Sequence, residues 1–185
     1  VQGHSYDTVV VLSPFHAGHF APILSTAHDG YSTPLGSIPL DEENLSHLET
    51  KLADIGGPAI TTVSRDREHA VEIELPFLQT ALEVNFKLLP LMLASFHTSE
   101  AELLGAVLAD TLKDQNALLI ASSDLSNFYS QETANRYDQN ILDAIATFDP
   151  ETLLAVHQKG KGQACGLTSI LTVMQAARLL GATRA

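Results

Sequence analysis

The chain has 185 residues, 45% of them hydrophobic, which suits one globular domain with a sizeable core and excludes a disordered chain. Its formal net charge of −12 argues against nucleic acid as a partner, because a phosphate backbone needs a basic footprint. The longest apolar run falls far short of a membrane span.

The polar Val1–Asp7 stretch lacks the basic start of a signal peptide, and Val1 in place of an initiator Met points to a processed or trimmed chain. The acidic excess is spread along helical stretches such as Asp41–Glu43 and Glu100–Glu102, as a solvated surface would be. A single cysteine excludes an internal disulfide and fits a reducing, cytoplasmic setting.

In chain order, Thr8–Leu12 (TVVVL) is short, apolar and β-branched, which predicts a strand covered on both faces. Asp41–Ala53 predicts a helix with an acidic first turn, stopped by Gly56-Gly57. Ile60–Val63 is a second strand. Ala70–Val84 has helical spacing, but Pro76 inside it predicts a kink or a late start. Lys87–Leu93 is a third strand. Ser99–Lys113 is a helix, with Ser99 as its expected cap and Glu102 three residues on.

Ala117–Ala121 (ALLIA) is a fourth strand, and Gln131–Ala146 a helix. Pro150–His157 is another, with Asp149 as cap and Pro150 in the first position. Gly160–Gly166 reads as a loop. Leu167–Leu180 is the final helix, closed by Gly181. Strands alternate with helices, and the connections are long enough for crossovers. The expected fold is therefore α/β, a mainly parallel sheet with helices on both faces in one domain.

Three polar groups follow predicted strands directly: His16 after Thr8–Leu12, His69 after Ile60–Val63 and Asp124 after Ala117–Ala121. If those strands are parallel, all three emerge at the carboxyl edge, where open α/β sheets bind ligands. Each residue has a plainer alternative. His16 competes with His19, which is equally well placed. Asp124 could cap the next element. The spacing of His69 and Glu72 puts them on one helix face, where the carboxylate would orient the imidazole or form a surface ion pair. Cys165, just before the last helix, is placed either for thiolate chemistry or for packing as a small hydrophobe.

Four segments together resemble the Memo family, also called AmmeMemoRadiSam system protein B. Ser13-Pro14-Phe15-His16 is similar to the family's Gly-Pro-Ser-His turn, and Thr33-Pro34-Leu35-Gly36 falls at its Thr-Pro-Leu. Glu68-His69-Ala70-Val71-Glu72, followed by Leu75-Pro76-Phe77, resembles the family's Glu-His segment. Ser122-Ser123-Asp124-Leu125-Ser126 and Ala164-Cys165-Gly166 match its Ser-Ser-Asp and Cys-Gly motifs.

The resemblance implies a three-layer α/β/α sandwich related to the class III extradiol dioxygenases. It implies that His16 and Cys165 are the metal-side pair, that His69 and Asp124 take catalytic roles, and that Asn127 and Glu72 contact substrate. It also implies a single Memo-like domain over 1–185 that lacks the family's N-terminal strand and last C-terminal strands.

Two departures matter. The family's first pocket histidine lies one strand upstream, in a segment that His16-Ala17-Gly18 imitates. The distance from His16 to Thr33-Pro34 instead aligns His16 with the second family histidine. The family also has a histidine where this chain has Asn127, which can hydrogen-bond a ligand but cannot relay a proton near neutral pH.

Two functions follow from this. One is a metal-dependent, oxidoreductase-like protein. A His and a thiolate suit iron, copper or zinc and not magnesium or calcium. The other is a non-catalytic protein that keeps the cleft for a peptide or small ligand. Family association adds a radical-SAM protein and an AMMECR-type protein as partners. A serine-hydrolase reading fails because no Gly-x-Ser-x-Gly elbow is present.

Overall fold

Seven residues, Thr8–Pro14, form the interior strand β1, and every one of them is buried. Val9 and Val11 face one side of the sheet while Val10 and Leu12 face the other, and the two pairs belong to separate apolar clusters. That is the period-two consequence of an apolar run covered on both faces. The structure is a computed structural model that describes residues 2–17, 19–65, 67–83, 85–94 and 97–184.

The remaining strands are β2 (Ile23–Thr26), β3 (Gly30–Thr33), β4 (Gly36–Pro39), β5 (Ile60–Val63), β6 (Lys87–Leu93) and β7 (Ala117–Ala121). The helices are α1 (Glu42–Asp54), α2 (Leu75–Ala81), α3 (Thr98–Leu112), α4 (Gln131–Ala146), α5 (Pro150–Gln158) and α6 (Leu167–Leu179). The main sheet has the order β5-β2-β6-β1-β7, and β3 pairs with β4 as a separate hairpin.

Helices α1, α3 and α6 cover one face through Leu48, Leu52, Leu104, Leu108, Leu112 and Ala176. The other face is covered by Leu75, Leu78 and Leu82 from α2 and its end, with Ile38 from the hairpin. Ile141 and Leu153 of α4 and α5 pack with Leu167 and Ile170 of α6 in a third cluster.

The sheet is mixed. β6 and β7 run parallel to β1, and β5 runs parallel to β2, but β2 runs antiparallel to β6. The sequence reading misses β2, β3 and β4, four-residue strands that start or end in Ser, Thr, Gly or Pro, whereas the equally short β5 is bounded by Ile60 and Val63. That omission hides the one reversed junction.

The local signals mostly act as expected. Asp41 caps α1 by accepting from Asn44 N, and Asp149 caps α5 by accepting from Glu151 N and Thr152 N. Pro76 delays its helix: a 3-10 turn over Glu72–Glu74 precedes α2, which starts at Leu75 with the proline in its first turn. Ser99 is not a cap. The extended backbone of His97 ends the loop earlier, so Glu100 N and Ala101 N bond to His97 O and Ser99 lies inside the first turn. Among the described residues, no helix is long and apolar enough to cross a membrane.

Candidate functional site

His16 leaves the carboxyl end of β1 and meets Glu68. Its backbone N–H donates to Glu68 Oε2 at 2.7 Å, and its Nδ1 lies 2.9 Å from the same oxygen. The other carboxylate oxygen, Oε1, accepts the N–H groups of His69 at 2.9 Å and Ala70 at 3.0 Å. The Glu68 side chain is only 2% exposed, whereas that of His16 is 53% exposed. A buried carboxylate thus joins two loops and holds one face of a half-exposed imidazole. Burial raises the Glu68 pKa, but the backbone N–H groups of His16, His69 and Ala70, with the His16 ring, outweigh it and hold the carboxyl below its ordinary value.

His69 reaches this place by an unexpected route. β5 runs opposite to β1, so its carboxyl end points away from the edge that carries His16. His69 nevertheless lies beside His16. The ring of His69 stacks beside that of His16, with centroids 6.5 Å apart and planes at 22°. His69 Nδ1 lies 3.8 Å from Glu68 Oε1, too far for a hydrogen bond, and its side chain is 74% exposed. The expected His69–Glu72 pair does not form. His69 precedes the 3-10 turn that begins at Glu72, so helical spacing does not apply, and Glu72 is exposed.

A second cluster forms where β7 meets α6. Asp124 N donates to Cys165 Sγ at 3.0 Å, and Cys165 N donates to Asp124 O at 3.0 Å. Gly166 N donates to Ser123 Oγ at 2.9 Å. Cys165 is half-buried, and Asp124 and Asn127 are exposed. Asp124 is not a helix cap, because Ser130 caps α4. The clusters share the carboxyl edge of β1 and β7. They are linked by Ser122, which donates its N–H to Leu12 O at 2.8 Å and its hydroxyl to Glu74 Oε1 at 2.9 Å. No hydrogen bond or ring contact among the described residues joins His16 to Cys165 directly.

His19, the rival of His16, is exposed but held by local contacts. Its Nδ1 accepts from Ala21 N at 3.0 Å, and its ring packs edge-on against Phe15.

The loop after Asp124 displays one aromatic. Ser126 N donates to Asp138 Oδ1, and Tyr129 packs against Tyr137 and accepts from Gln163. Between these anchors Phe128 has φ 66° and is fully exposed. A left-handed conformation costs a residue with a Cβ about 1–2 kcal/mol. Phe128→Gly removes that strain and loses no packing, but it loosens the unfolded chain by about 0.5–1 kcal/mol. The net expectation is a gain of about 0.5–1 kcal/mol, read as a higher urea midpoint at unchanged slope. Phe148, at φ 55°, packs against the α4–α5–α6 cluster, so Phe148→Gly is expected to destabilise.

A metal was tested against the donors present. Among the described residues, no three His, Cys, Asp or Glu side chains come together as an ion would require. His16 and Cys165 do not by themselves make a coordination sphere.

The Memo-like protein family model matches residues 1–185. The chain belongs to the Memo-like protein family. Similar proteins include MEMO1 family proteins of Methanosarcina mazei, 30% identical over 181 residues, and of Methanococcoides burtonii, 32% identical over 179. Another, from Aquifex aeolicus, is 29% identical over 178 residues. These matches cover 97%, 95% and 96% of this chain and 66%, 65% and 65% of the relatives' own lengths, respectively.

Sequence reasoning placed Glu68 in the Memo-like motif without a partner and gave Glu72 the role of orienting His69, whereas the carboxylate that meets an imidazole is Glu68, on His16. The signal for Glu68 was weak, because its partner His16 is 52 residues away in sequence.

Proposed function

We propose that this Memo-like chain is a binding protein for a small molecule or peptide, and that its site is the carboxyl edge around His16. The observation that supports this is the grip of buried Glu68 on one side of the imidazole, which fixes the ring and leaves the other side to solvent. Rigid presentation of a polar group at a sheet edge is what ligand recognition needs. His69 stands beside it as a second contact and is the group able to move a proton. Asn127 is not. On this reading Asp124 and Cys165, at the end of β7 on the same edge, would add further contacts, and Glu72 belongs to the exposed turn after His69. The test is an NMR fragment screen on labelled protein. Amide shifts that cluster at His16, His69 and Asp124 are expected, and binding confined to other surfaces overturns the reading.

A metal-dependent, oxidoreductase-like function, with a fold related to the extradiol dioxygenases, is the second reading. The observation in its favour is again His16, because metal-bound imidazoles commonly give their other nitrogen to a carboxylate. A His and a thiolate would select iron, copper or zinc. The discriminating experiment is titration of wild type, His16→Ala and Cys165→Ser with iron(II), copper(I) and zinc. On the metal reading, both variants lose affinity at unchanged fold, and Asn127→His gains it. Equal affinity in wild type and Cys165→Ser removes the thiol from the site.

A further inference from the structure

We propose that Glu68 is a positioning residue that fixes the tautomer of His16, and that the group meeting His16 is therefore a hydrogen-bond donor. This deepens the reading of the edge as a binding site and rests on it for the choice of ligand. The tautomer itself does not depend on any ligand.

An ionised carboxylate only accepts hydrogen bonds. Both Glu68 oxygens face N–H donors: His16 N on Oε2, and the N–H groups of His69 and Ala70 on Oε1. His16 Nδ1 also lies 2.9 Å from Oε2. With an acceptor opposite, Nδ1 must carry the proton. In the neutral imidazole, Nε2 is then left as a lone pair. A free histidine side chain prefers the opposite tautomer, with the proton on Nε2, so the assignment is a specific departure caused by one residue. The backbone N–H of His16 on the same oxygen fixes the loop as well as the ring. The ring cannot turn away without giving up its bond to a buried charge.

The consequence is selective. In the neutral ring, Nε2 of His16 accepts from hydroxyl, amide or ammonium donors. It offers nothing to a ligand that has only acceptors. The neighbouring His69 does not share this restriction, since its Nδ1 is 3.8 Å from Glu68 and its ring is free to choose its tautomer.

The experiment is a long-range ¹H–¹⁵N correlation spectrum of the histidine rings at pH 8.5, on wild type, Glu68→Gln and His69→Ala. His16 is expected to show a protonated Nδ1 and a bare Nε2 in wild type and in His69→Ala. In Glu68→Gln it should move toward the Nε2–H form, because an amide in this position can donate to Nδ1. Predominance of the Nε2–H tautomer in wild type overturns the proposal, and this holds even where Glu68→Gln fails to fold. An unchanged tautomer in folded Glu68→Gln also overturns it.

The ligand arm compares acetamide with N,N-dimethylacetamide, and urea with tetramethylurea, at equal concentration. The N–H members are expected to shift His16 Nε2 and the methylated members not. Equal shifts from both overturn the donor rule. Silence from both members counts against the edge as a binding site, while Glu68 stands or falls on the tautomer alone.

Discussion

Gly166→Ala is expected to cost about 3 kcal/mol or more, at the upper end of what overpacking does. A Cβ at this position would lie 2.3 Å from Ser122 O and 2.8 Å from Ser123 Cβ. The first contact is with the backbone at the end of β7, which is fixed by the bond from Ser122 N to Leu12 O and cannot swing aside as a side chain would. The start of α6 must therefore withdraw from the sheet. The bonds between Asp124 and Cys165, and between Gly166 N and Ser123 Oγ, run through the same contact. Denaturant unfolding should show the loss, and the amide resonances of Asp124 and Cys165 should move. Gly160→Ala is the control. Nothing lies within 4 Å of that position, and its φ of +64° is the only obstacle, so a cost of about 1 kcal/mol is expected. Equal costs at the two positions would show that close approach is not what selects glycine at 166.

Glu68→Ala is expected to destabilise the protein by about 3–5 kcal/mol, because it strands N–H donors that the carboxylate now satisfies. Three backbone N–H groups and the His16 ring lose their acceptor together. The effect carries a pH signature. The folded pKa of Glu68 lies below the ordinary 4.5, so the native state holds fewer protons here than the unfolded chain. Its contribution is complete above about 4.5 and is lost as pH falls through the lower folded value. Wild type should therefore lose stability on acidification in that window, and Glu68→Ala should lose less. Parallel acid curves for the two proteins would contradict the assignment. Measurement of denaturant midpoints between pH 3 and pH 7 distinguishes these outcomes.

Much of the scaffold was legible in the sequence because its signals are local. The apolar runs at Thr8–Leu12, Lys87–Leu93 and Ala117–Ala121 need no partner to be recognised as strands. Asp149-Pro150 marks a helix start by its own chemistry, and Pro76 delays one by its missing N–H. Memo-like membership was likewise readable from the motif spacing, and the family match extends over the whole chain.

Tertiary structure alone decided the direction of β5, the choice of Glu68 over Glu72 and the contact that requires Gly166. Each depends on groups far apart in sequence. β5 is reversed relative to β1 because its parallel neighbour β2, which ends in Ser25-Thr26 and was not recognised as a strand, pairs antiparallel with β6. Glu68 outranks Glu72 because burial beside β1 gives it four donors, while Glu72 opens a solvent-exposed turn. Gly166 carries no unusual backbone angle, and only the approach of Ser122 O reveals why a side chain cannot stand there. Local chemistry fixes which elements form. Which residues meet is set by pairing and burial across distances that a linear pattern does not encode.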